Sequence, residues 1–258
     1  MIWREQSLMQ VSSDGLIIME KAISENDKLV TILTRKFGII RAFAKGVKSI
    51  KNKNFSSVQL FCYSDFILFK GRSKYIINES NCKKSFWNLR CDIEKLALAQ
   101  YFCDLILNLV AEEQRHTEDI LRLILNSLHY LSEGKISNNL LKSIFEMRIL
   151  ALSGYMPNLV ACSCCEKSEV KSFYFVPDIN GIVCDECVKN YNFVKFKLTN
   201  SVLYALRYTV YSEFNKMFAF DLKKQSLEKL SAITEAYLLR CVEKNLKTLD
   251  FYKQLVVN

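Results

Sequence analysis

The chain has 258 residues, 50% hydrophobic, with only 7 Gly and 2 Pro, a composition that excludes a disordered or collagen-like polymer and suffices for one large core or two smaller ones. Lys and Arg outnumber Asp and Glu by 36 to 27, and residues 1–80 alone carry 13 basic against 7 acidic side chains, which points to a polyanionic partner such as nucleic acid. No run reaches the roughly 18 apolar residues of a membrane helix, so no membrane partner is expected, and the charged opening Met1-Ile2-Trp3-Arg4-Glu5 lacks the apolar stretch of a signal peptide.

Residues 1–8 show no pattern and read as a flexible lead-in. Short β-prone runs follow. They are Gly15–Met19, Leu29–Thr34, a Phe37-Gly38 turn into Ile39–Gly46, then Phe61–Lys70, and Tyr75–Glu79 across a Lys70-Gly71-Arg72-Ser73 turn. Five such strands without an intervening helix predict a small β-barrel over residues 1–80. The lysine-rich stretch from Lys45 to Asn54 has little to bury and reads as a solvated connection. Arg35, Lys36, Arg41, Lys45, Lys48, Lys51, Lys53, Arg72 and Lys74 form a pool of candidate phosphate contacts on these turns and strand ends. Phe43, Tyr63 and Tyr75 are candidate base-stacking rings, though each is more simply explained as core.

From residue 81 the pattern is helical. Residues 96–110 form a mostly buried helix with a polar stripe at Gln100, Asp104, Asn108 and Glu112. A second helix spans Glu118–Glu133 and stops at Gly134. A third runs from about Ser137 to Ser153, closed by Gly154. Two more are expected, from about Thr199 to Met217 and from Ser226 to Lys247. Residues 81–258 thus form a helical domain, with an insertion over 159–192.

That insertion carries the most specific chemical signal. Cys162-x-x-Cys165 and Cys184-x-x-Cys187 have the spacing of a four-thiolate zinc site, in which each two-residue gap lets one turn present two sulfurs to one ion. Four protein ligands leave no open position, so the zinc is expected to be structural. Phe173 to Val183, around Pro177-Asp178-Ile179-Asn180-Gly181, reads as a short hairpin, hence a zinc ribbon. Cys164 is a spare; reduced cysteines that bind nothing, an iron–sulfur cluster or a redox dithiol are the alternatives. The other cysteines (Cys62, Cys82, Cys91, Cys103, Cys241) read as core.

Catalysis finds little support. His116-Thr117-Glu118 matches the His-x-Glu of zinc deaminases, but neither cysteine pair follows a proline. His129 lies inside a helix as a surface or rim residue. No phosphate-binding glycine loop exists. A zinc-dependent hydrolase or deaminase and a ribbon scaffold without DNA binding remain the rival readings.

The order of parts resembles the bacterial RecO family of recombination mediators. Gly15-Leu16-Ile17-Ile18, Asn26 to Thr34, Gly38 and Ala44-Lys45-Gly46-Val47-Lys48 are similar to that family's opening. Phe145 to Pro157 running into Cys162 is the most specific piece, and Leu246 to Phe251 fits the ending. Two departures stand out: a single glycine, Gly181, precedes the second cysteine pair where the family often has two, and Met9 is a candidate initiator. The resemblance implies an OB-fold barrel followed by a helical domain with an inserted ribbon. It implies a protein, not an enzyme, that binds single- and double-stranded DNA and anneals complementary strands. Its implied partners are RecR and the acidic tail of the single-stranded-DNA-binding protein, SSB, and together they load RecA in the bacterial cytoplasm.

Overall fold

In the computed structural model the described residues are 9–71, 74–114 and 117–256. Five strands form a closed barrel: β1 (Met9–Ala22), β2 (Lys28–Thr34), β3 (Gly38–Ala44), β4 (Cys62–Lys70) and β5 (Tyr75–Ser85), in the order β1-β2-β3-β5-β4. All contacts between neighbours are antiparallel except one. The barrel closes where β3 pairs with β5 in parallel through only two residue pairs, Ala42 with Tyr75 and Phe43 with Ile76. Strand residues alternate between faces, so Ile17, Val30, Ile32, Ile40, Ala42, Phe66 and Leu68 fill the interior with Tyr75 and Ile77.

The expected solvated connection after Lys45 is instead anchored. Val47 and Val58 join the interior cluster. Asn54 Oδ1 accepts the Ser80 backbone N–H at 2.9 Å, and the Ser64 hydroxyl donates to the Ser57 carbonyl at 2.8 Å. Val47 among the lysines and Val58 just beyond them seat the segment in the barrel.

Six helices follow: α1 (Ile93–Leu109), α2 (Glu118–Glu133), α3 (Asn138–Leu152), α4 (Asn200–Tyr211), α5 (Lys224–Val242) and α6 (Lys247–Val256). The last expected helix is two. α5 ends at Val242, capped by Glu243 in the left-handed region at φ 52°, and α6 starts at Lys247. α4 is shorter than expected, ending at Tyr211 rather than near Met217. α1 ends before Glu112, so the polar stripe stops at Asn108.

The chain divides into two compact units, residues 1–103 with 110–132, and residues 104–109 with 133–258. In the first, Gly38 is required: its φ is +68° and a Cβ there would lie 2.2 Å from the Gln114 carbonyl oxygen. The adjacent Glu112 bridges Ile39. In the second, α3 packs on α4 and α5. The ribbon is a three-stranded sheet, β7-β6-β8, of β6 (Phe173–Val176), β7 (Gly181–Cys184) and β8 (Phe196–Lys197). It docks on α5, with Phe175 edge-on to Tyr237 at 5.3 Å and Arg240 paired to Asp178 at 2.8 Å. The hairpin manages with one glycine because Asn180 takes the left-handed position, φ 54°, which Asn tolerates. Gly181 itself has no room for a side chain, since a Cβ would meet the Asn158 carbonyl at 2.7 Å.

Candidate metal centre and nucleic-acid interface

The hairpin brings the two cysteine pairs together. The Sγ atoms of Cys162, Cys165, Cys184 and Cys187 all lie within 4.8 Å of one another. Cys165 and Cys184 are 3.8 Å apart, and a tetrahedron with metal–sulfur distances of about 2.3 Å has edges of about 3.8 Å. Backbone amides orient the sulfurs: Cys184 N–H donates to Cys162 Sγ at 3.3 Å and Cys187 N–H to Cys184 Sγ at 3.4 Å.

The electrostatics favour a cation. Burial pushes the Cys162 thiol up, but amides of Cys184, Cys164 and Cys165 more than offset this and bring it down to about 6. Cys187 is pushed well up, first because its thiol hydrogen-bonds with the Cys184 and Cys165 sulfurs and then by burial. Four thiolates at this spacing repel, and a divalent ion removes that repulsion. Cys164 stands outside the quartet, 3.6 Å from the Tyr191 hydroxyl. Of the remaining cysteines, Cys62 and Cys103 are buried as expected, whereas Cys82 and Cys91 are exposed.

The basic candidates fall into distinct groups. Arg35 is neutralised: its Nε lies 3.0 Å from Asp14, it pairs with Glu118, and its Nη2 is 3.4 Å from the Tyr63 hydroxyl. Burial pushes the Asp14 carboxyl up, but the Tyr63 hydroxyl and Arg35 outweigh it and hold Asp14 below the usual carboxylate range. Arg41 pairs with Glu112, and Lys53 with Glu79 at 3.2 Å. Lys48 donates to the Ser24 carbonyl at 2.6 Å. Among the described residues Lys36, Lys45, Lys51 and Lys74 are exposed and have no carboxylate at ion-pair distance. Arg72 lies outside the described residues, as does His116. His129, on α2, has Nδ1 3.4 Å from Lys84 Nζ.

The barrel exterior carries a row not foreseen from the sequence. Register places Leu29 of β2 opposite Phe43 of β3, Phe43 beside Ile76 of β5, and Ile76 opposite Phe69 of β4. All four are half-buried. Lys74 Nζ sits 4.9 Å above the Phe43 ring. Phe69 and Ile76 line a groove of about 500 Å³ with Lys45 and Lys53. The other two candidate rings are less available: Tyr75 is 4% exposed and stacked on Phe37, and Tyr63 donates to Asp14. The periodicity of β3, β4 and β5 marks these positions as outward, but only the pairing register makes them a row.

Residues 9–86 match the family described as "Recombination protein O N terminal" and residues 90–250 the one described as "Recombination protein O C terminal". The chain belongs to the RecO family. The DNA repair protein RecO of Acetivibrio thermocellus is 33% identical over 245 residues, covering 95% of this chain and 97% of that one. That of Clostridium perfringens is 31% identical over 243 residues, covering 94% and 97%, and that of Alkaliphilus metalliredigens 27% over 248 residues, covering 96% and 100%. RecO membership places the chain among recombination and DNA repair proteins. Its barrel, helices and ribbon follow the order expected of that family. Among the described residues no helix is long and apolar enough to cross a membrane.

Proposed function

We propose that the chain is a DNA-binding recombination mediator of the cytoplasm, without covalent chemistry of its own. It holds single- and double-stranded DNA on the barrel exterior and anneals complementary strands. With RecR and the acidic tail of SSB it promotes loading of RecA. The observation that carries this reading is the row Leu29–Phe43–Ile76–Phe69 with Lys74 over Phe43 and Lys45 and Lys53 along the groove. Apolar side chains beside the ammonium groups of Lys45 and Lys74, which have no carboxylate at ion-pair distance among the described residues, are what stacking and phosphate neutralisation require. Lys45 and Lys74 are the leading contacts, Lys36 and Lys51 supplementary ones, and Arg41 contributes once it leaves Glu112.

Zinc is the proposed ion of the four-cysteine centre, in a structural role: it closes the ribbon on α5 and takes no part in a reaction. The deciding experiment is affinity for a labelled oligothymidylate against salt. Lys45→Gln/Lys74→Gln should weaken binding and flatten the slope by about 0.7 per lost phosphate contact on a single strand. An unchanged slope moves the contacts away from this strip. Strand annealing by the purified protein, with and without the SSB tail peptide, tests the mediator role directly.

A further inference from the structure

Residues 187–199 of the ribbon contain no acidic side chain. Lys189 lies on a short 3-10 turn over Cys187–Asn190, and Tyr191, Phe193, Lys195 and Lys197 follow on the irregular segment that leads into and includes β8. Tyr191 and Phe193 stack at 5.7 Å with an interplanar angle of 21°. Phe193 is 45% exposed, and Lys189, Lys195 and Lys197 reach solvent. The strand that follows, β8, pairs only with β6, so its other edge is open.

Only the end of this strip serves the ribbon's own fold, where Lys197 pairs with Tyr174 in the sheet. The metal quartet is complete without it, and Phe175, Ile182 and Val183 supply the buried core. Of the stacked pair Tyr191 is half-buried and Phe193 exposed, and apolar ring surface of that kind is costly to leave in water. Three lysines with no neighbouring carboxylate in the same segment add an uncompensated positive field. Ring surface flanked by ammonium groups offers a single strand a face on which a base stacks and charges that neutralise its phosphates.

We infer that the Lys189–Lys197 strip is a second single-stranded nucleic-acid site, separate from the barrel row and located in the other compact unit. The inference rests on the DNA-binding reading above and extends it. Annealing brings together two strands, and one protein with two sequence-tolerant strips has a place for each.

The test is photocrosslinking of a short oligonucleotide carrying 5-iodouracil to the full, metal-loaded chain, followed by peptide mapping, alongside an annealing assay. Crosslinks are expected both on the barrel strands and on the peptide holding Tyr191 and Phe193. Tyr191→Ala/Phe193→Ala should remove the ribbon crosslink, keep the barrel crosslink, and slow annealing by about tenfold, the loss expected from one stacked base. Should that variant misfold, Lys189→Gln/Lys195→Gln/Lys197→Gln, which keeps the rings, is expected to lose the same crosslink. Crosslinks confined to the barrel, with annealing unchanged in both variants, overturn the second site and leave the barrel reading intact. Absence of crosslinks anywhere, with no oligonucleotide binding at low salt, overturns the DNA-binding reading itself. A strip that binds an acidic peptide and shows no crosslink is a protein-docking surface, and that result also overturns the inference.

Discussion

Lys142 and Glu146, one turn apart on α3, form an ion pair at 2.8 Å with side chains 2% and 0% exposed. The pair persists because it is fully partnered. Lys142 also reaches Glu235 on α5 at 2.9 Å, Lys253 on α6 donates to Glu235 at 2.7 Å, and the Thr234 hydroxyl donates to Glu146 at 2.6 Å. The network thus ties three helices with charge rather than apolar contact. Removing one member strands another. Lys142→Met is expected to cost about 3–5 kcal/mol in urea unfolding, because Glu146 stays buried without its cation. Lys142→Met/Glu146→Leu should recover most of that, since Glu235 keeps Lys253. A single variant within about 1 kcal/mol of the parent would show that the pair contributes little.

Acid should weaken the barrel unit through Asp14. Its carboxyl is depressed in the folded chain, so its contribution is present above the unfolded value of about 3.9 and is lost as pH falls through the lower folded value. Asp14→Asn should therefore lower the melting temperature at neutral pH and flatten its fall below about pH 4. Melting curves of both proteins from pH 7 to pH 3 check this, and parallel acid limbs would exclude Asp14 as a source of the acid sensitivity.

Metal removal should act on the ribbon first. Chelation, or Cys184→Ser, is expected to release one zinc per chain and to expose the ribbon's amides to hydrogen exchange, while the barrel's amides keep their protection. Cys164→Ser should leave metal content unchanged, because that sulfur lies outside the quartet. Zinc measured by atomic spectroscopy alongside exchange mapping separates the two variants; loss of metal in Cys164→Ser would redraw the ligand set.

Gly38→Ala combines a left-handed backbone with a Cβ 2.2 Å from the Gln114 carbonyl. A destabilisation of about 2 kcal/mol or more is expected in chemical denaturation. Gly154→Ala has the positive φ of +93° but open space around the new methyl, so it should cost less. Equal losses would mean that Gln114 yields easily and that backbone strain dominates.

Local signals were legible where they are chemically complete. The cysteine spacing identified the quartet, because two-residue gaps suit one ion. The bounds Glu118 and Glu133 of α2 followed from apolar periodicity and Gly134. What the sequence hid was long-range pairing. Arg35 and Arg41 read as free cations, yet their carboxylates, Glu118 and Glu112, lie 83 and 71 residues away. Val47 was masked by the lysines around it. The break between α5 and α6 has no Gly or Pro to announce it, only Glu243 in a conformation that tertiary context imposes. The exterior row needs the β3–β5 register, which no local pattern specifies.

That register has a mechanical side. Four of the barrel's five seams are long antiparallel ladders; the fifth, between β3 and β5, is two residue pairs. It is where thermal opening of the cylinder should begin, as the seam with the fewest bonds to break. Phe43 and Ile76 flank it from the outside, so anything lying along their row bridges both lips. Occupancy would therefore stiffen the cylinder at its weakest line, and amide exchange at Ala42, Phe43, Tyr75 and Ile76 would slow in proportion to the ligand bound. The short seam makes the barrel its own strain gauge.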